Sequence, residues 1–321
     1  MIALYLCLAL LWHAAAAVAE PPLKPLTFMP LWVPQAQFAG YFVAYERGLY
    51  RQHGIDVTIL PGGPGHSVAA ALESGRADVG TLWLSTAIRM RAQGSRVVNV
   101  AQVVERSSQV LLAKKSSGIA VPSDLNGKTV GVWEGDLGLQ AQAFFKKYNL
   151  NVRTVPQGST INLFLRDGVS AAVGMWYNEY HTALDSGINT YELTTFFFSE
   201  HGLNFPEDGL YCREEAFLRD PALYRAFAQA SLEGWQYAFA QPEDALDIVM
   251  KYVADAHLAA TRVHQRWMLE RMKDVILFVN GAPPGTLRRV DYDHVAQALL
   301  LSGRITAVPE FAAFYRAEVP R

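Results

Sequence analysis

Two stretches of this 321-residue chain repeat one short pattern, and that repetition constrains the fold more than any other feature. Leu72-Glu73-Ser74-Gly75-Arg76-Ala77-Asp78-Val79-Gly80 and Leu165-Arg166-Asp167-Gly168-Val169-Ser170-Ala171-Ala172-Val173-Gly174 run in parallel, the second with one extra residue. Each reads as a helix end, a glycine that stops it and a short buried strand. The simplest architecture that uses one pattern twice is a pair of similar α/β lobes.

The surroundings of each copy support this. In the first unit, strand patterns over Leu26–Leu31, Ile55–Leu60, Ala77–Gly80 and Val97–Val104 alternate with helix patterns over Gln37–Tyr50, Ser67–Ser74 and Thr86–Ala92. In the second, Lys128–Trp133, Val152–Val155 and Ala171–Trp176 alternate with Leu139–Tyr148 and Ser159–Arg166. Such βαβ arithmetic predicts mostly parallel sheets. Past residue 213 the periodicity is helical, over Asp220–Ala240, Glu243–Ala254 and about Thr261–Phe278. Leu210–Arg213 is predicted to return the chain to the first lobe, so two crossings would form a hinge. The expected division is 20–113 for the first part of lobe 1, 114–209 for lobe 2, and 210–321 for the return and the C-terminal helices.

Residues 1–19 form an apolar run without charge, ending Ala17-Val18-Ala19 before Glu20. That small-x-small ending predicts a cleavable signal peptide, and hence a secreted, periplasmic protein. A transmembrane anchor is the competing reading, against which the alanine-rich second half and Pro21-Pro22 argue. No later apolar run is long enough to span a bilayer, so the body is expected to be soluble. Cys7 would leave with the signal, and Cys212 alone can form no internal disulfide. The formal net charge is −2 with scattered basic residues, which argues against nucleic acid as a partner.

The sequence contains no nucleophile elbow, phosphate loop or His-Glu-x-x-His motif. Its eight histidines are spread out, and His257 and His264, seven apart, read as surface or capping residues rather than metal ligands. Neither a catalytic constellation, a metal nor a cofactor is expected. What stands out is aromatic and amide side chains after strand ends, where α/β sheets bind ligands. Trp32, Gln35, Phe38 and Tyr41 follow the first strand, and Gly63 lies in a Pro/Gly turn. Trp83, Ser85 and Thr86 follow the repeated strand, Trp133 and Glu134 close a strand of the second lobe, and Trp176, Tyr177, Asn178 and Glu179 follow its repeat. Facing rings suit a small planar heteroaromatic guest, since stacking adds about 0.5–1.5 kcal/mol per pair beyond area burial. Gln35, Asn178 and Glu179 would read ring nitrogens and exocyclic amines, a carboxylate making a two-point bond to an amidine-like edge. Each ring also fits a packing role, most of all Phe38, which belongs to its helix's apolar stripe.

With these residues in view, LTFMPLWVPQAQFAGYFVAYERGLYRQHGIDVTILPGG, LESGRADVGTLWLSTAIRMRAQG and LNGKTVGVW resemble the importer solute-binding proteins related to alkanesulfonate carriers and thiamine-pyrimidine proteins. The resemblance implies a two-lobed periplasmic-binding-protein fold of type II with a helical C-terminal tail. It also implies a monomer that delivers its ligand to the permease subunits of an ATP-driven (ABC) importer. The W-x-P-x-A-Q-F-A-G-Y stretch is similar to the branch that binds formyl-aminopyrimidine, a thiamine precursor, with hydroxymethylpyrimidine, riboflavin or an alkanesulfonate as alternatives. The same family includes the fungal-type thiamine pyrimidine synthase, which consumes pyridoxal phosphate and its own histidine. By similarity its lysine would fall at Leu82, its histidine at Thr86 and its cysteine cluster near Gly202–Pro206, and this chain has none of the three. A leucine forms no imine, so the chain is expected not to be that enzyme.

Overall fold

A computed structural model describes residues 22–277 and 281–316. The expected signal peptide over 1–19 and the last residue of the third expected tail helix, Phe278, lie outside the described residues. The chain begins with β1 (Lys24–Met29), α1 (Ala39–Glu46), α2 (Leu49–Gln52), β2 (Ile55–Ile59), α3 (Val68–Glu73), β3 (Val79–Trp83), α4 (Leu84–Ala92) and β4 (Val97–Gln102). A second series follows: β5 (Gln109–Lys114), β6 (Thr129–Val132), α5 (Leu139–Lys147), β7 (Arg153–Pro156), α6 (Asn162–Leu165), β8 (Ala171–Met175), α7 (Glu179–Asp185) and β9 (Leu193–Phe197). It ends with β10 (Asp208–Arg213), α8 (Glu214–Arg219), α9 (Pro221–Ala240), α10 (Pro242–Asp255), α11 (Arg262–Ile276), α12 (Arg289–Leu301) and α13 (Phe311–Phe314).

The strands form two five-stranded sheets of matching topology, β2-β1-β3-β10-β4 and β7-β6-β8-β5-β9. In the first, β1 pairs in parallel with β2 and β3, while β10 is antiparallel to β3 and β4. In the second, β6 pairs in parallel with β7 and β8, while β5 is antiparallel to β8 and β9. The reversed strand of each sheet is the one that arrives from the other. Gln109–Lys114, which the expected boundary left in the first lobe up to residue 113, therefore pairs into the second sheet as β5. Its apolar run carries no helix-to-strand pattern of its own, so periodicity does not mark the crossing.

The repeated pattern becomes the central strands β3 and β8, whose five residues are all buried. Strands covered on both faces need continuous apolar sequence rather than alternation. The long tail helix α9 crosses α1 so closely that a Cβ on Gly234 would stand 2.1 Å from the Gly40 carbonyl oxygen. Asp220 accepts a hydrogen bond from the Leu223 amide at the start of α9, and Thr261 caps α11 through the His264 amide. The single helix expected over Gln37–Tyr50 is broken, because Gly48 adopts φ 68° and separates α1 from α2.

The lobes touch along two flanks. Arg89 of α4 donates to both carboxylate oxygens of Asp136, ahead of α5, at 2.9 Å. On the other flank the Trp267 indole of α11 donates to the Trp176 carbonyl at 3.0 Å, and its ring stacks on Tyr180 of α7.

Candidate functional site

The carboxyl ends of β3 and β8 both approach the start of β10, the latter through Ser108, which contacts Met175 and Glu207. Trp83 ends β3 and is paired in the ladder with Asp208 of β10. Met175 and Tyr177, at the end of β8, share one apolar cluster with Trp83, Tyr41 and the partly buried Trp32 and Trp133. Trp176 lies outside that cluster, against Phe197.

A polar relay runs through this cluster. Gln35 donates to the Gln37 side-chain oxygen at 2.6 Å, and Gln37 donates to Asp208 Oδ2 at 2.8 Å. Asp208 is enclosed, and its second oxygen, Oδ1, has no hydrogen-bond partner. Burial pushes this carboxyl up to about 7 against the lowering effect of Gln37. Its neighbour Glu207 accepts from the Ser108 amide, the Ser108 hydroxyl and the Ser107 hydroxyl. Burial still raises Glu207 to about 8, with the Asp208 charge adding to the rise. Tyr177 lies in the field of both and is raised well above its ordinary value, first by burial and then by the carboxylates. The polar groups that meet here are carboxyl, amide and phenol, a field that favours a neutral or cationic guest over an anion.

The other expected residues divide by environment. Phe38 was expected in the lining but is fully enclosed, because it faces the helix's core side against Tyr41. Tyr41 is also deeply packed, between Phe28 and Trp235, and its hydroxyl makes no hydrogen bond of ordinary geometry. Gly63 has φ 112° and a Cβ there would meet Val33 at 2.6 Å, so backbone geometry accounts for the glycine. Ser85 is buried and Thr86 half-buried in the first turn of α4. Trp133 is half-buried with its indole N–H donated to the Gly158 carbonyl at 2.9 Å, whereas Glu134 is exposed, a correction explained by its place at the start of the turn Gly135–Gly138. Trp176 stands edge-on to Phe197 and under the Arg271 guanidinium, 4.8 Å from the ring centre. Asn178 donates to Glu179 Oε1 and accepts from His264 Nε2, both at 2.8 Å. Glu179 accepts in addition from the Met175 amide at 2.9 Å, and burial lifts it to about 7. These last two side chains are therefore engaged within the protein.

Sequence reasoning missed Gln37, Glu207 and Asp208. The available signal was the pair of acids in Pro206-Glu207-Asp208-Gly209, directly before the apolar strand Leu210-Tyr211-Cys212. Carboxylates at the head of a strand buried in mid-sheet need a reason to be there. His264, expected at the surface, is partly buried against the second lobe, and burial together with His181 lowers its pKa. Leu82, where the resemblance would put the synthase's lysine, is packed in the core beside α3 and α4. Cys212 is buried, and burial raises its thiol pKa.

Comparison with known proteins agrees with this fold. The chain is 25% identical over 277 residues to the riboflavin-binding protein RibY of Chloroflexus aurantiacus, covering 81% of this chain and 75% of the relative. It is 25% identical over 258 residues to the formylaminopyrimidine-binding protein of Halalkalibacterium halodurans, covering 76% and 77% respectively. Its fold matches the periplasmic aliphatic sulphonate binding protein SsuA of Escherichia coli with a TM-score of 0.68 at 17% identity, over 89% of this chain and 94% of the other. Residues 35–245 match the family model described as NMT1/THI5 like, and the chain belongs to that family.

Proposed function

We propose that this protein is the extracytoplasmic solute-binding component of an ATP-driven importer, and that its cleft takes a planar heteroaromatic with N–H donors, an aminopyrimidine. The observation that carries the ligand class is the unpartnered Oδ1 of buried Asp208, set beside Trp83 and Tyr177. A buried acceptor without a donor is costly unless a guest supplies one. An exocyclic amine on a flat ring does so while the ring stacks on the aromatic walls. An alkanesulfonate carries no N–H donor for the buried Asp208 acceptor and is disfavoured.

The two crossings, 103–108 and 198–207, serve as the hinge. They are tied together where Asn204 donates to the Glu105 carbonyl at 3.0 Å and accepts from the Ser107 amide at 2.9 Å. Ligand contacts from both lobes favour the closed form, which as a monomer presents its surface to the membrane subunits. Among the described residues no helix is long and apolar enough to cross a membrane. Similarity to RibY supports a second reading, a flavin, whose ring N–H would meet the same carboxyl. The synthase reading is less favoured, since a leucine stands where the resemblance would put the imine lysine and both relatives described above, which match three quarters or more of the chain, are binding proteins. Calorimetric titration with formylaminopyrimidine, riboflavin and an alkanesulfonate tests this directly. Saturable binding of the aminopyrimidine is expected, and binding of the sulfonate alone contradicts the assignment.

A further inference from the structure

On the flank where α7 of the second lobe meets α11 of the first, three metal-ligating side chains converge. His181 and Asp185 are one turn apart on α7, so they share a face. His264 reaches them from the first turn of α11. The His181 and His264 Nδ1 atoms are 3.0 Å apart, and Asp185 Oδ2 lies 3.2 Å from the first and 3.8 Å from the second. A tetrahedral zinc ion with bonds of about 2.0–2.1 Å holds neighbouring donors roughly 3.3 Å apart. The three atoms therefore already outline one face of such a tetrahedron, leaving a fourth position for water.

The outer contacts fit the same role. Asn178 spends its amide N–H on Glu179, so its oxygen accepts from His264 Nε2 and that nitrogen carries the ring hydrogen. His264 Nδ1 is then left with its lone pair aimed at the common point. This orienting bond on the far nitrogen is what a metal-bound imidazole needs. Trp267 stacks on His181 with ring centres 5.0 Å apart and fixes the second imidazole. Without a metal, one Nδ1 must keep a hydrogen to satisfy the other; a cation replaces that hydrogen and binds the nearby carboxylate as well.

The geometry points to a divalent transition-metal site of the zinc class, built from His181 and Asp185 of one lobe and His264 of the other, that clamps the lobes together. Two imidazoles and one carboxylate suit Zn²⁺ better than Mg²⁺ or Ca²⁺, which prefer oxygen shells. Because the ligands come from both lobes, the metal binds the closed form preferentially and shifts the population toward it. Asn178 links the site to the buried Glu179.

The test uses purified, chelator-stripped protein without any organic ligand, so its outcome is independent of the ligand assigned above. Zn²⁺ is titrated by calorimetry and Co²⁺ by visible absorption. The expected result is one equivalent bound, an intense tetrahedral Co²⁺ spectrum, and a loss of affinity of about tenfold or more in His264→Gln and in Asp185→Asn. Asp185 is half-exposed, so its variant keeps the fold, which circular dichroism checks. No saturable uptake, an octahedral cobalt spectrum, or unchanged affinity in both variants would overturn the site.

Discussion

Asp208 concentrates the chemistry proposed for the cleft in one side chain: one oxygen is held by Gln37 and the other is buried without a partner. Replacing Asp208 with Asn keeps the size but removes the charge-assisted bond, and aminopyrimidine affinity is expected to fall about tenfold or more. Calorimetry on wild type and variant reads this, with unchanged circular dichroism as the control. Glu207 makes a different prediction. Its folded-state value, about 8, lies above the ordinary carboxyl range, so its contribution to stability is full below that range and is lost as pH rises through about 8. Glu207→Gln is therefore expected to melt higher than wild type in alkaline buffer, with the gap closing toward about pH 5. A variant less stable at every pH would mean that the bonds to Ser107 and Ser108 outweigh desolvation. The aromatic residues stood out in the sequence because they follow strand ends. The acid pair ahead of an apolar strand was a signal, but its burial was not legible, since that depends on the neighbours β3 and β4.

At the scale of elements, periodicity located the strands and helices that alternate regularly and failed where tertiary context decides. β5 and β9 were not separated from their surroundings, because an apolar run inserted between strands looks like any buried segment. α12 was missed beyond the third tail helix, and Gly48 broke a helix whose apolar spacing continues across it. The crossing of α1 and α9 was equally hidden, since only the packed structure shows Gly40 and Gly234 in contact. Gly234→Ala is expected to cost about 1–3 kcal/mol, because the added methyl meets backbone oxygen that cannot turn away. Urea unfolding measures it, and a neutral result would show that the helices separate freely.

For the whole molecule, the repeated pattern was enough to foresee two similar α/β lobes. It carried no information on how the lobes meet, because Arg89–Asp136, Trp267–Trp176 and His181–His264 pair residues distant in the chain. Such contacts exist only when the lobes are together, so they bias closure without touching the ligand. Arg89→Ala is expected to weaken ligand binding by at most about fivefold, the range of a partly exposed ion pair acting through the closed population. Equal or tighter binding in that variant would remove the pair from closure. The central claim, that the buried carboxyl of Asp208 selects a flat N–H donor, is tested most directly by titrating wild type and Asp208→Asn side by side with formylaminopyrimidine. Saturable binding by wild type that weakens about tenfold or more in the variant is the predicted result. No binding by wild type, or equal binding by both proteins, would contradict it.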